Sequence, residues 1–184
     1  EILKQLGGVE AQVHFIVGGT PTNAALISAA LRPWQSVISA DTGHINAHEA
    51  GAIELTGHKV LAVPAENGKL TARVVEAECR KYLNGGTPDY LTQPKLAYIS
   101  SPSEFGTVYS RAELEELSAV CKKYGLYLFL DGARLGYWLS CEGCGVTLAD
   151  LARLTDAFYI GGTKCGALFG EALVLMNPAL WDHF

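Results

Sequence analysis

Residues 110–134 have the sequence SRAELEELSAVCKKYGLYLFLDGAR, which contains one complete helix-to-strand unit. Ser110 and Glu113 have the spacing of a capping box, in which each side chain satisfies an orphan backbone N–H of the other at the start of a helix. Apolar side chains then recur on one helical face, and Gly125 can adopt the left-handed conformation that ends the helix. The continuously apolar residues 126–130 (LYLFL) predict a strand covered by helices on both sides.

The rest of the chain continues this alternation of strands and helices. Apolar runs predict strands at 13–17, 36–40, 59–63, 96–100, 157–160 and 172–176, and helices at 21–31, 47–55 and 70–83. A second capping pair, Thr147 with Asp150, starts a further short helix. The pattern predicts an α/β fold with three layers (αβα) around a mostly parallel sheet. Ligands of such sheets bind at the carboxyl ends of the strands, so the residues that follow each strand are the first candidates for a site.

The composition is that of an ordinary globular domain. Of the 184 residues, 49% are hydrophobic and 18% are charged, and the net charge of -5 is unlike the basic surface that nucleic acid requires. No apolar run approaches the ~20 residues that cross a bilayer, so neither a membrane nor nucleic acid is an expected partner. Five cysteines, an odd number, fit a disulfide framework poorly, and the expected compartment is the reducing cytoplasm.

The two ends of the sequence suggest a part of a longer protein. The chain begins at Glu1 without an initiator Met, in a stretch typical of the end of a helix, and it stops at Phe184 in a stretch typical of the first turns of another. We therefore expect residues 1–184 to form one domain that is truncated at both ends.

A glycine-rich turn follows the first strand. Gly18 and Gly19 precede Thr20, the predicted N-cap, and Pro21, which suits the first helical position. Small residues at a helix start let backbone N–H groups approach a phosphate, and the helix dipole favours its negative charge. The alternative is an ordinary strand-to-helix turn.

Histidines follow the second strand. His44 can stack on a flat aromatic ligand or donate a hydrogen bond to it. His44 and His48 are also one helical turn apart, as in a zinc pair, but the sequence offers no obvious third ligand at motif spacing, so no metal is expected. Cys141 and Cys144 form a Cys-x-x-Cys without a second pair, and they are interpreted as loop cysteines.

A carboxylate and two cations follow later strands. Asp131 comes after five apolar residues, where an unpaired carboxylate is costly, so it needs a cation or a strong hydrogen-bond donor. A pyridinium nitrogen or Arg134 would serve. A structural Asp131–Arg134 pair is the alternative to a functional role. Lys164 lies between Gly-Gly-Thr and Cys-Gly-Ala, and there it is predicted to be desolvated and nucleophilic. The alternative is an ordinary surface lysine.

These strand-end residues, in this order, match what pyridoxal phosphate (PLP) requires of a protein. The phosphate needs an anion site, the ring needs a stacking face, the ring nitrogen needs a carboxylate and the aldehyde needs an amine. Gly19 and Thr20 can supply the anion site. His44 can supply the stacking face, Asp131 the carboxylate and Lys164 the amine.

Four segments resemble the fold type I, aspartate-aminotransferase-like PLP enzymes, and most of all the group of threonine aldolases and aromatic amino acid β-eliminating lyases. They are GGTPTN (18–23), GHINAHEAGAIE (43–54), LDGARLG (130–136) and YIGGTKCGALFGEAL (159–173). The segment ISSPSEFGTVYS (99–110) is also similar. The resemblance implies a PLP-dependent transferase-like large domain, with the family's small C-terminal domain expected beyond residue 184.

The resemblance also assigns roles at the site. Gly19 and Thr20 would hold the phosphate, His44 would stack on the ring, Asp131 would pair with the pyridinium, and Lys164 would form the Schiff base.

On the substrate side, the resemblance implies that Arg134 binds the carboxylate of an amino acid, with two parallel hydrogen bonds from its planar guanidinium. Glu49 matches the family's acid downstream of the stacking histidine. A homodimer or homotetramer is expected, with the site near the subunit interface.

The resemblance implies a threonine aldolase, which would cleave the Cα–Cβ bond of threonine-like β-hydroxy-α-amino acids to glycine and an aldehyde. The first alternative is a β-eliminating amino acid lyase, because the same cofactor site serves both reactions. The second alternative is a truncated, non-catalytic domain that binds PLP weakly or not at all.

Overall fold

The computed structural model describes residues 1–184, apart from the side chain of His183, and it confirms the predicted three-layer α/β fold. Within this part of the chain the strands form one seven-stranded sheet. The strands are β1 (Gln12–Ile16), β2 (Gln35–Ala40), β3 (Lys59–Val63), β4 (Gln93–Ser100), β5 (Tyr127–Asp131), β6 (Ala157–Gly161) and β7 (Glu171–Leu175).

Helices connect these strands and cover the sheet. The α-helices are α1 (Gly19–Ala30), α2 (His44–Ala47), α3 (Ala52–Leu55), α4 (Ala72–Asn84), α5 (Arg111–Tyr124), α6 (Leu135–Leu139) and α7 (Leu148–Leu154). Short 3-10 helices span Ile2–Gln5, Pro88–Tyr90, Thr163–Cys165 and Pro178–His183. No helix among the described residues is long and apolar enough to cross a membrane.

The strand order is β1-β7-β6-β5-β4-β2-β3, and β7 runs antiparallel to both of its neighbours. The pairs β2–β3, β2–β4, β4–β5 and β5–β6 are parallel. Because β1 and β6 are both antiparallel to β7, β1 has the direction of the parallel strands. The carboxyl ends of six strands therefore meet at one edge of the sheet, and the site is built there.

The core has two parts, one on each face of the sheet. Leu128 and Leu130 of β5 pack with α4 and α5, whereas Phe129 packs on the other face with α1. All three side chains are at most 1% exposed. Successive strand residues point to opposite faces, so the apolar run at 126–130 is explained by a strand that is buried on both sides.

The sequence signals for the start and the end of α5 are confirmed. Ser110 and Glu113 form the capping box at the start of α5, and Gly125 ends the helix in the left-handed conformation with φ 66°. Thr147 and Asp150 form a second capping box at the start of α7.

Two details of the prediction are wrong. Of the helix predicted over 47–55, only Ala47, the last residue of α2, and the four residues of α3 are helical, because the chain between them takes left-handed conformations at Ala50 (φ 50°) and Gly51 (φ 79°). Thr20 is not the N-cap of α1. The cap is Gly18, whose carbonyl oxygen already accepts the first helical hydrogen bond, from the Thr22 N–H at 3.2 Å.

Candidate active site

A cavity of about 410 Å³ opens at the carboxyl edge of the sheet, a size typical of small-molecule sites. Five residues predicted from the sequence line it together, although they come from four separate strand ends: Gly19, Thr20, His44, Asp131 and Lys164. The parallel arrangement of β1, β2, β5 and β6 explains this convergence.

Asp131 ends β5 and is only 4% exposed. Its carboxylate accepts hydrogen bonds from the Tyr98 hydroxyl, the Tyr159 hydroxyl at 2.5 Å, the Asn23 amide at 3.3 Å and the Ala133 N–H at 2.9 Å. Burial, reinforced by the charge of Asp131, holds the pKa of Tyr98 and of Tyr159 well above the usual range. Both hydroxyls therefore keep their protons and act as donors, so the carboxylate is held in place by four groups.

The helix start that faces the cavity fits a phosphate. Gly18, Gly19 and Thr20 line the cavity where α1 begins, and the first N–H groups of a helix have no acceptor within it. A side chain at Gly19 would place its Cβ 3.1 Å from the Tyr159 hydroxyl, which is tighter than ordinary contact. Glycine therefore allows the backbone to lie against the buried Tyr159.

His44 is oriented by a buried carboxylate. The His44 Nδ1 lies 2.7 Å from the Glu49 Oε1, which also accepts from the Asn23 amide at 2.7 Å. The hydrogen bond to Glu49 raises the pKa of His44 above its usual value of 6.5, although partial burial works in the opposite direction. Asn23 contacts both Glu49 and Asp131, and so it connects the two carboxylates of the site.

Replacing Glu49 with Gln is expected to lower the pKa of His44, because the imidazolium loses its charged partner. The pKa of His44 in the folded protein lies above its usual value of 6.5. Protonated His44 therefore stabilises the folded protein fully below pH 6.5, and this stabilisation is lost as the pH rises through the pKa of His44 in the folded protein. In Glu49→Gln this dependence should disappear. The measurements are an NMR titration of His44 and denaturant unfolding on both sides of neutral pH.

The matched control is Glu54→Gln, because Glu54 is an exposed residue in the same segment. An unchanged His44 titration in Glu49→Gln would contradict the assignment.

Lys164 lies in the 3-10 helix that follows β6, and the prediction of a desolvated lysine is wrong for this chain. Its side chain is exposed at the cavity rim, where the neighbouring Leu168 and Phe169 are also 92% and 66% exposed. The backbone is nevertheless held, because the carbonyl of Lys164 accepts from the Tyr137 hydroxyl at 2.7 Å.

Arg134 does not form the pair with Asp131 that was considered as the structural alternative. Its Nη1 and Nη2 lie 3.2 and 3.3 Å from the two carboxylate oxygens of Glu104. Glu104 lines the cavity; Arg134 contacts Glu104 and is 31% exposed, but it is not itself among the lining residues. The edge of the guanidinium formed by its two terminal nitrogens is therefore occupied by this pair.

A zinc site at His44 and His48 has little support in the geometry. The rings of His44 and His48 are 5.8 Å apart between centroids, and the Nδ1 of His44 is engaged by Glu49. Among the side chains that the structure describes, no three histidine, cysteine or acidic groups converge as ligands.

The residues present fit PLP. A buried carboxylate, an oriented histidine, a helix start and an amine surround one cavity, and each matches a different part of the cofactor. The fold and these strand-end groups define the class of fold type I PLP enzymes. Within this class the chain belongs to the β-eliminating lyase family, whose model matches residues 1–182. Its cofactor is pyridoxal phosphate.

Threonine aldolases are prominent among the relatives. The chain is 32% identical to the low specificity L-threonine aldolase of Pseudomonas aeruginosa, over 100% of this chain and 53% of that protein. It is 34% identical to that of a Pseudomonas species, over 98% of this chain and 52% of the relative. A threonine aldolase structure from Leishmania major is 52% identical, with a TM-score of 0.92, over 97% of this chain and 51% of that one. The chain thus spans about half the length of the relatives it matches.

Proposed function

We propose that the protein is a PLP-dependent carbon–carbon lyase that cleaves threonine and related β-hydroxy-α-amino acids to glycine and an aldehyde. The observation that carries the proposal is the convergence of His44, Asp131 and Lys164 with the α1 start on one cavity, in a chain whose relatives include threonine aldolases. We further propose that residues 1–184 are the large, cofactor-binding domain of a longer protein.

Each residue has a role that its position supports. Lys164 would hold the cofactor covalently through its amine. Gly19 and Thr20 bind the phosphate through backbone N–H groups at the start of α1. His44, which is oriented by Glu49, would provide the face on which the ring stacks.

Asp131 would keep a proton on the ring nitrogen, because a buried carboxylate favours a positive charge beside it. PLP, when bound, supplies an electron sink for the bond that breaks at Cα. Arg134 binds the α-carboxylate through the guanidinium edge that Glu104 does not use, and this contact fixes which bond at Cα is broken.

Assembly and location are part of the proposal. Large apolar side chains are exposed beside the cavity, with Phe15 at 83%, Val17 at 71% and Leu168 at 92%. Such a patch is typical of an interaction surface and supports a homodimer or homotetramer with the site near the interface. The five cysteines are free thiols, which supports a cytoplasmic location.

A β-eliminating lyase is the second candidate, and the matched family itself favours it. The PLP-loaded protein should release glycine and acetaldehyde from threonine faster than it releases pyruvate and ammonia from serine or cysteine. The two product pairs are separated by coupled dehydrogenase assays. Pyruvate and ammonia as the dominant products would support β-elimination instead. Failure to bind PLP would support the non-catalytic alternative.

A further inference from the structure

Three carboxylates line the cavity, and two of them already have structural roles. Asp131 is held by four donors, and the Oε2 of Glu171 accepts from the Gly162 N–H at 2.8 Å, which braces the loop that carries Lys164. The third carboxylate, Glu104, has no part in holding the cofactor as proposed above. Its side chain is 15% exposed and lies at the cavity wall beside Arg134.

A braced turn between β4 and α5 holds Glu104 in place. The Ser103 N–H donates to the Thr107 carbonyl at 2.7 Å, and the Gly106 N–H donates to the Ser103 carbonyl at 2.9 Å. The hydroxyls of Ser103 and Thr107 are 2.6 Å apart. The backbone of Glu104 is therefore fixed from both sides, and its carboxylate is positioned before any ligand arrives.

We propose that Glu104 is the general base that takes the proton from the β-hydroxyl of the substrate. This inference rests on the proposed function, because it presumes that Arg134 binds the α-carboxylate. Glu104 lies 3.2 to 3.3 Å from the same guanidinium. The hydroxyl is carried by the carbon next to Cα. Because Glu104 both lines the cavity and contacts Arg134, its carboxylate lies on the side of the cavity where the α-carboxylate and the neighbouring hydroxyl would be bound.

Other cavity groups are less suited to accept this proton. The hydrogen bond to Glu49 raises the pKa of His44 and so favours its protonated form. Burial holds the pKa of Tyr159 well above the usual range, so its hydroxyl keeps its proton. His48 also lines the cavity and is exposed, and it is the rival that an experiment must separate from Glu104.

The proposed step conserves atoms and electrons. The O–H bond of the hydroxyl breaks, its proton passes to Glu104, and the O–H electron pair becomes the second bond of the aldehyde C=O. The Cα–Cβ bond breaks and its electron pair stays with the glycine fragment, which then takes up one proton at Cα. Glu104 returns its proton to solvent, so threonine yields glycine and acetaldehyde with no net change in protons.

Glu104→Gln in the PLP-loaded protein tests this role, because the amide cannot accept a proton but keeps an oxygen that can accept from Arg134. The kcat for threonine cleavage should fall by about 10² to 10⁴-fold, with KM changed by less than about threefold. Exchange of the glycine Cα proton for deuterium, followed by NMR, should stay near wild type because glycine has no hydroxyl. The visible cofactor absorbance should also persist.

Two comparison variants complete the design. Glu115→Gln breaks a similar glutamate–arginine pair on the surface of α5, where Glu115 lies 2.9 Å from Arg111, and it should leave kcat unchanged. His48→Gln should have less effect than Glu104→Gln. Glu104→Gln with near-wild-type kcat, an equal loss of glycine exchange, or a larger loss in His48→Gln would each overturn the assignment. A wild-type protein that binds PLP but releases no aldehyde would overturn the proposed function as well.

Discussion

Lys164→Ala is expected to abolish the visible absorbance band of the bound cofactor and to lower the rate of threonine cleavage by about 10³-fold or more. The variant lacks the amine that joins the aldehyde of PLP, and no other lysine lines the cavity among the described residues. The side chain is exposed, so its loss should change the free energy of unfolding little. The effect should therefore be confined to the cofactor and to catalysis.

The measurements are absorbance after PLP addition, followed by borohydride reduction, and aldehyde release from threonine. Lys122→Ala is the matched control, since Lys122 is an exposed lysine of α5 on the opposite side of the sheet from α1. A Lys164→Ala protein that retains the band and its reduction by borohydride would show that another amine carries the cofactor.

Asp131→Asn is expected to have the second-largest effect. The amide has nearly the shape of the carboxylate but no charge, so it cannot keep the proton on the ring nitrogen. The kcat should fall by about 10²-fold or more, which corresponds to about 3 kcal/mol of transition-state stabilisation. The Lys164 bond to PLP should survive, so the absorbance band should shift rather than vanish.

Measuring the free energy of unfolding together with kcat separates a loss of catalysis in Asp131→Asn from a loss of folding. Asp131 accepts from the Tyr98 and Tyr159 hydroxyls, and an amide can replace only part of this acceptor capacity, so Asp131→Asn should also lose stability. Asp156→Asn is the matched control: Asp156 accepts from the Leu128 N–H at 2.7 Å just before β6, away from the cavity. If both variants lose stability but keep the same kcat, the role of Asp131 is structural.

Much of the fold could be predicted from the sequence because its signals are local. The capping boxes at Ser110 and Thr147, the left-handed Gly125 and the apolar β5 depend on neighbouring residues alone. The break between α2 and α3 was not predictable in the same way. Gly51 is a signal for a break, but the positive φ at Ala50 is unusual for a residue with a side chain and could not be read from the sequence.

The site was predictable where a residue lies at or just beyond the carboxyl end of a strand: Asp131 is the last residue of β5, and Lys164 lies three residues after β6. The groups that hold Asp131 were missed, because Tyr98 and Tyr159 lie inside apolar strands and resemble core residues in the sequence. The alternation of side chains along a strand is the signal that could have placed both hydroxyls on one face near the strand ends.

The ion pair between Glu104 and Arg134 was missed for a different reason. The two residues are 30 positions apart, and a pair of this kind depends on how a loop folds back over the sheet. Asn23 belongs to the GGTPTN segment, but its bridge between Glu49 and Asp131 likewise depends on tertiary packing. Exposure of Lys164 could not be inferred either, since it depends on what covers the cavity rim.

The most direct test of the account is to locate the cofactor on the chain. PLP-loaded protein is reduced with borohydride and digested, and its peptides are analysed by mass spectrometry. The account predicts one pyridoxyl phosphate adduct per chain, on the peptide that contains Lys164. An adduct on a different lysine, or a protein that takes up PLP without forming any adduct, would contradict it.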